Sequence, residues 1–509
     1  MSPISPICPV SPPCPKHHPA VFPRQLLADA ASPASTHFHE NRSVTMSTRR
    51  RITRRGFLRR TGAMAATAIA APMIVPSTVL GAQGQVAPSE RINVGMIGVG
   101  RQAYLVNLKQ QFLTMPDVQV VALCDVDRWR LEEGKKLVEQ QYAKRAGTGG
   151  YSGCATCKDF TEVLGRADIQ AVMISTPDHW HAPIALAAAE AKKHVSLEKP
   201  ITRTIAEGQA IIAAMRAHDR VFRMDSEMRS YDNFHRMAEL VRNGVLGDIK
   251  AIRVGVPAGD DVDCPQTPDM PVPEDLDYEL WQGPAPRAPY TQERVHPPRE
   301  FGRPGWMRVL DYCDGMITNW GTHFLDIAQW CFGTERTGPV EVDGKGVWPE
   351  PGKLWNVMKT FEVTYRFQDG TPLYYENTRD PKVSGALGAC SAYVKLEGTK
   401  GWIYGAFGGP TELRFKAEPE WLLDVKLGPT AIRFPLKSDK QDFIDAIKTG
   451  GRTLEDEEVG HRTTSLCHLG HIAIHLGQPL KWDPNKERFV DNEAANAYLD
   501  NPIRTLPAR

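Results

Sequence analysis

Three groups of residues have types and spacings that could do chemistry. Gly98-Val99-Gly100-Arg101-Gln102-Ala103 reads as G-x-G-x-x-A, and Asp125 closes the next apolar run. After a strand, such a turn lets a dinucleotide's pyrophosphate approach the backbone at Gly100. Gly98 permits the tight bend, Ala103 the close helix packing, and an acid at 125 can bind ribose hydroxyls. Next, "STPDHWH" (175–181) and "LEKP" (197–200) end two further apolar runs, the edge where open parallel sheets hold ligands. Finally, "DGMITNWGTHFLDIAQWCFG" places Asn319, His323 and Asp326 at i, i+4 and i+7, one face of a helix. A histidine packed in the core is the competing reading of that helix.

The elements that must position these groups alternate. Strand-like Ile92–Ile97, "VQVVALCD", "AVMIST" (171–176) and "HVSLEK" (194–199) are interleaved with helix-like 182–191 and 205–218. That alternation predicts a doubly wound α/β domain over residues 90–220. From residue 221 to 509 the pattern turns to period two, as in "FEVTYRF" (361–367) and "AYVKLEG" (392–398), around a Pro-rich span from 257 to 304. This predicts an α+β domain with a mostly antiparallel sheet.

Composition removes other classes. With 61 Lys+Arg against 60 Asp+Glu and a net charge of +1 over 509 residues, no cationic field exists to hold nucleic acid. Of the ten cysteines only Cys154 and Cys157 form a close pair, expected in a loop. His179 and His181 have His-x-His spacing but no third ligand at matching spacing, so no metal site is expected.

Residues 1–45 are rich in Pro, Ser and His, a disorder-prone leader. From Met46, taken as the expected true start, residues 46–82 have a basic region, a short apolar segment and small residues near Gly81. That segment is too short for a stable membrane span. "TRRGFLRR" (53–60) resembles a twin-arginine export signal, which implies the twin-arginine machinery as a partner and a periplasmic location. An enzyme exported folded must keep its cofactor, so tight binding is expected.

In order and spacing, "IGVGRQA", "CDVD", "STPDHWH", "LEKPIT", "NWGTHFLDIAQW" and "EVGHRTTSLCHLGHIA" resemble the Gfo/Idh/MocA family of nicotinamide oxidoreductases. The resemblance implies a Rossmann domain followed by a large open sheet used in oligomer contacts, hence a dimer or tetramer. It implies NAD bound by Gly98, Gly100, Arg101, Ala103, Asp125, Thr176, Pro177, Asp178, His181, Glu198 and Lys199. Asp125 favours NAD, while Arg101 and Arg128 keep NADP open. It also places Lys199 beside the nicotinamide and the substrate hydroxyl, where a cation lowers the alcohol's pKa during hydride loss, and makes His323 the acid/base. Asn319 stands where the family often has Asp, and cannot hold charge against an imidazolium. Arg229 and Asp326 are the substrate-contact candidates. Tyr278, Trp281, Trp306 and Tyr312 are sugar walls or loop anchors. The implied activity is oxidation of a secondary hydroxyl of a sugar, cyclitol or glycoside. The alternatives are redox-neutral lyase, epimerase or glycoside-cleaving chemistry through transient oxidation, and a cofactor-bound sugar-binding protein without turnover.

Overall fold

Apolar runs such as "VQVVALC" have no polar face to show to water, so they form strands covered on both sides. In the computed structural model, which describes residues 86–147, 149–259, 262–377 and 392–504, six such runs build one parallel sheet. The strands are β1 (Ile92–Ile97), β2 (Val118–Cys124), β3 (Ala155–Cys157), β4 (Ala171–Ile174), β5 (His194–Glu198) and β6 (Phe222–Asp225). Their order, β3-β2-β1-β4-β5-β6, is that of a Rossmann sheet, which reverses direction between β1 and β4 and opens a crevice there. The leader (1–45) and the twin-arginine segment (46–82) lie outside the described residues.

Two expectations about this domain need correction. The sheet does not stop at residue 220, because β6 pairs with β5 through Asp225. Cys157 belongs to edge strand β3 and not to a loop, and it pairs in register with Cys124 of β2.

Among the described residues, nine strands form the second sheet: β7 (Ile249–Gly255), β8 (Glu341–Val347), β9 (Thr360–Arg366), β10 (Pro372–Glu376), β11 (Ala392–Gly398), β12 (Gly401–Phe407), β13 (Phe415–Glu418), β14 (Leu480–Asp483) and β15 (Arg488–Phe489). It is open and antiparallel except where β10 runs parallel to β7. Alternating burial along β9 shows one face against the core, as the period-two pattern requires. Helices Asp232–Arg242, Gly321–Phe332 and Glu457–Leu476 cover that face and share its core with Phe234, Phe324 and Leu469.

The chain then returns to the first sheet. Helix Asp439–Thr449 inserts Phe443 and Ile444 among the side chains of β1 and β2. Its Lys440 is fully buried between Asp439 and Asp225 of β6. Among the described residues no helix is long and apolar enough to cross a membrane.

Candidate active site

β1 ends in the Gly-rich turn. Gly98 has φ +90, and a Cβ there would lie 2.6 Å from the carbonyl oxygen of Ser175, so only glycine fits between the two strand ends. At Gly100 an added Cβ would meet nothing within 4 Å, leaving the open approach that a pyrophosphate needs. Ala103 is buried behind the turn and opens the helix Ala103–Gln111. That helix is wound with the wider π repeat, a feature common at functional sites. Its Asn107 donates from Nδ2 to Glu198 Oε1 at 3.0 Å and to Ser175 Oγ at 3.0 Å, tying the ends of β4 and β5 together.

Asp125 accepts from the Val99 amide at 2.6 Å through Oδ2 and from the Asp127 amide at 2.9 Å through Oδ1. Burial raises its pKa, with Arg130 opposing. The following helix is capped by Asp127, which leaves Asp125 facing the cleft.

A cleft of about 1100 Å³ runs from this turn across the carboxyl ends of β4, β5 and β6. Gly98, Gly100, Arg101, Asp125, Thr176, Pro177, Asp178, His181, Glu198, Lys199, Asn319 and His323 all line it. Among the described residues, Thr176 Oγ1 and Asp178 Oδ2 are buried without a hydrogen-bond partner, polar groups positioned for a ligand. Open space at Gly100, the acid at 125 and these unpaired atoms fit a nicotinamide dinucleotide. His181 bridges the two strand ends, with Nδ1 2.7 Å from the Pro200 carbonyl and Nε2 2.9 Å from that of Thr176.

At the far end Lys199 Nζ donates to Asn319 Oδ1 at 3.2 Å. Asn319 closes the short helix Met316–Asn319, and His323 stands in the next, Gly321–Phe332. Burial, and then the charge of Lys199, hold the His323 pKa well below the ordinary imidazole range, so the ring is neutral. Its Nδ1 lies 2.9 Å from Ser226 Oγ and 4.0 Å from Glu227 Oε2.

Of the expected single face of Asn319, His323 and Asp326, the first two do line the cleft together and Asp326 does not. The helix breaks at Trp320, and Asp326 turns from the cleft into a bidentate pair with Arg229, Nε to Oδ2 and Nη2 to Oδ1, both at 2.7 Å. Arg229 also meets Glu335 at 2.9 Å and the Trp330 ring at 4.8 Å. Neither Arg229 nor Asp326 lines the cleft, so both are withdrawn as substrate contacts: two buried opposite charges satisfy each other first. Of the four aromatic candidates, Trp281 and Trp306 line the cleft, while Tyr278 and Tyr312 do not and pack against Trp281 in one apolar cluster. His179 and His181 bind different carbonyls, and among the described residues no metal-binding cluster exists.

Ser226, Glu227 and Asn107 were missed. Ser226 and Glu227 directly follow β6, at the same ligand-bearing edge that singled out Lys199, so their position was the available signal.

The Pro-rich span crosses the cleft as a strap. Leu276 bridges to Asp127, Arg128 pairs with Asp275 at 2.5 Å, and His296 Nε2 lies 3.1 Å from Asp127 Oδ2. Phe301 stacks on Tyr104 at 4.0 Å, and the Trp281 carbonyl meets His179 Nε2 at 3.0 Å and accepts from Trp180 Nε1 at 3.1 Å.

Comparison with known proteins agrees with this layout. The chain is 30% identical over 210 residues to "Alpha-N-acetylgalactosaminidase" of Shewanella oneidensis, 39% of this chain and 44% of that protein, so it spans less than half of that relative. It is 24% identical to "Uncharacterized oxidoreductase YrbE" of Bacillus subtilis over 62% of this chain and 73% of that one. Among solved structures, aldose-aldose oxidoreductase from Caulobacter crescentus, complexed with glycerol, superposes with TM-score 0.53 at 17% identity, covering 77% of this chain and 99% of that one. WlbA dehydrogenase from Bordetella pertussis, in complex with NADH and UDP-GlcNAcA, gives 0.53 at 16%, with the same coverage. These two likenesses speak to the fold. Residues 92–226 match the description "Oxidoreductase family, NAD-binding Rossmann fold", and 234–507 match "Oxidoreductase family, C-terminal alpha/beta domain". The chain therefore belongs to the Gfo/Idh/MocA oxidoreductase family.

Proposed function

We propose that this protein is a nicotinamide-dependent oxidoreductase acting on a secondary hydroxyl of a sugar, cyclitol or glycoside. One observation carries the reading: Lys199, Asn319 and His323 converge in the cleft that begins at the Gly-rich turn. The nicotinamide, when bound, supplies the hydride acceptor. Asn319 Oδ1 holds the Lys199 ammonium in place, and Lys199 stabilises negative charge developing on the substrate oxygen. With Nδ1–H of His323 donating to Ser226 Oγ, Nε2 is left to accept the hydroxyl proton. A neutral imidazole needs no carboxylate partner before it takes that proton, so Asn319 is compatible with turnover. Asp125, an acceptor held by two backbone amides, suits the hydroxyls of NAD and disfavours the phosphate of NADP.

Retention of the cofactor is part of the proposal. The strap's contacts on both sides of the cleft favour slow release, which suits a protein whose residues 46–82 resemble an export signal and whose working place would be the periplasm. Denaturing the purified protein should release a stoichiometric dinucleotide that dialysis of the native protein does not remove. Sugars and polyols should then change its reduced-nicotinamide absorbance. No bound dinucleotide and no absorbance change with any of them would sink the reading.

A second reading, redox-neutral glycoside cleavage, is favoured by the 30% identity to a relative whose name is that of a glycosidase. Release of p-nitrophenol from p-nitrophenyl N-acetylgalactosaminide without net reduction of the cofactor would select it.

A further inference from the structure

Glu227 follows β6 and presents 31% of its side chain to the cleft, with Oε2 4.0 Å from His323 Nδ1. The groups that face it come from every neighbouring element: Glu198 and Lys199 from the end of β5, Asp439 from helix Asp439–Thr449, His323 from helix Gly321–Phe332, and Tyr231 from the segment that follows. The other two carboxylates are engaged. Asp439 accepts from Lys440 at 2.9 Å and from Gln111 at 3.0 Å, and Glu198 accepts from Asn107 at 3.0 Å. Of these three carboxylates, Glu227 is the one that accepts no hydrogen bond from another side chain among the described residues.

We propose that Glu227 is a second acid/base of the cleft, exchanging the proton on the substrate carbon next to the one that is oxidised. The proposal rests on the oxidoreductase reading above. Oxidation of a hydroxyl moves one proton, for which His323 suffices, and leaves a second protonatable group without a task. Beside a newly formed carbonyl the adjacent C–H is acidic. Its electron pair moves into the carbon–carbon bond, the carbonyl π pair moves to the oxygen held by Lys199, and the proton passes to Glu227. Reversal returns the proton. Return to the other face inverts the carbon, and departure of a leaving group from the next carbon, taking its C–O electron pair, gives elimination. No oxidant is needed beyond the nicotinamide that forms the carbonyl.

The protonation state suits a group that must both take and give a proton. Burial, and then the charge of Asp439, push the Glu227 carboxyl up to about 7, so acid and base forms coexist at neutral pH.

The test uses the holoenzyme in D2O with glucose, galactose, N-acetylglucosamine, N-acetylgalactosamine, their methyl glycosides and myo-inositol. Any of these that changes the reduced-nicotinamide absorbance should acquire deuterium, by NMR, at the carbon beside the oxidised one. Glu227→Gln should lower that exchange by about 10²–10⁴-fold, far more than it slows the first nicotinamide reduction, and Glu227→Asp should recover part of the exchange. Without any sugar, infrared difference spectra should show a carboxylic acid C=O band that titrates near pH 7 and is missing from Glu227→Gln. Oxidation without deuterium uptake, equal loss of both activities in Glu227→Gln, or an infrared titration unchanged by the substitution would overturn the proposal. If no sugar in the panel changes the absorbance, the oxidoreductase reading fails first, and the proposal with it.

Discussion

Helix Gly321–Phe332 separates two sets of charged and polar residues that look alike in the sequence and differ in what they touch. Behind it, Asp326 is closed by Arg229, and Arg223 reaches Asp442 at 2.8 Å and Glu455 at 2.6 Å, all buried. In front, His323 has one ring nitrogen on Ser226 and the other open to the cleft, Lys199 has among the described residues only a neutral amide as its side-chain partner, and Glu227 has a histidine 4.0 Å away. His323 and Asp326 are neighbours on one helix, so residue type does not separate their roles. Pairing does: a charge closed by a buried opposite charge holds the fold, and one at the cleft without such a partner is available to a ligand.

The comparison can be broken most forcefully from behind. Asp326→Ala removes the bidentate partner of the buried Arg229 guanidinium and leaves it Glu335 as its close carboxylate, and chemical denaturation should show a loss of about 3–5 kcal/mol. A loss below ~1 kcal/mol would mean that the pair is not the clamp described here.

In front, Lys199→Ala should slow the first turnover about 10²–10³-fold, the cost of removing one donor at a developing oxyanion. The denaturation midpoint should stay close to that of the wild type. Asn319→Ala, which only frees the ammonium, should cost about tenfold in the same assay, near the ~1 kcal/mol of one hydrogen bond.

Two pH effects follow from the same contrast. Because His323 is held neutral, first-turnover oxidation should not lose its base between about pH 5 and 8. A fall centred near the ordinary imidazole value would show that the ring is less buried than described. For Glu227 the folded carboxyl is raised, so its favourable contribution to stability is complete below the unfolded pKa and is lost as pH rises through about 7. Glu227→Gln should therefore narrow the Tm difference between acidic and mildly alkaline buffer, and an unchanged difference would contradict the raised pKa.

What could be read from the chain is what local sequence determines. The strand and Gly-rich turn around Gly98, the "LEKP" strand end and His323 each lie in a short motif whose chemistry is written within a few residues. The Arg229–Asp326 pair joins a turn after β6 to a helix about a hundred residues on, so its saturation could not be seen in either segment. The return of Lys440 to β6 and the strap from the irregular span are long-range in the same way. Glu227 and Arg229 lie two positions apart in one short turn, which aims the first side chain at the cleft, buries the second and leaves no periodic signal to tell them apart.

Under the proposed function, the front set performs hydroxyl oxidation with a nicotinamide held in the cleft. The direct measurement is a single-turnover trace of reduced-nicotinamide absorbance when the sugar and polyol panel is mixed with the holoprotein, wild type beside Lys199→Ala. A signal with at least one compound, slowed by about 10²–10³-fold in the variant, is expected. No signal with any compound from a protein that carries its dinucleotide, or an identical trace from Lys199→Ala, would contradict the account.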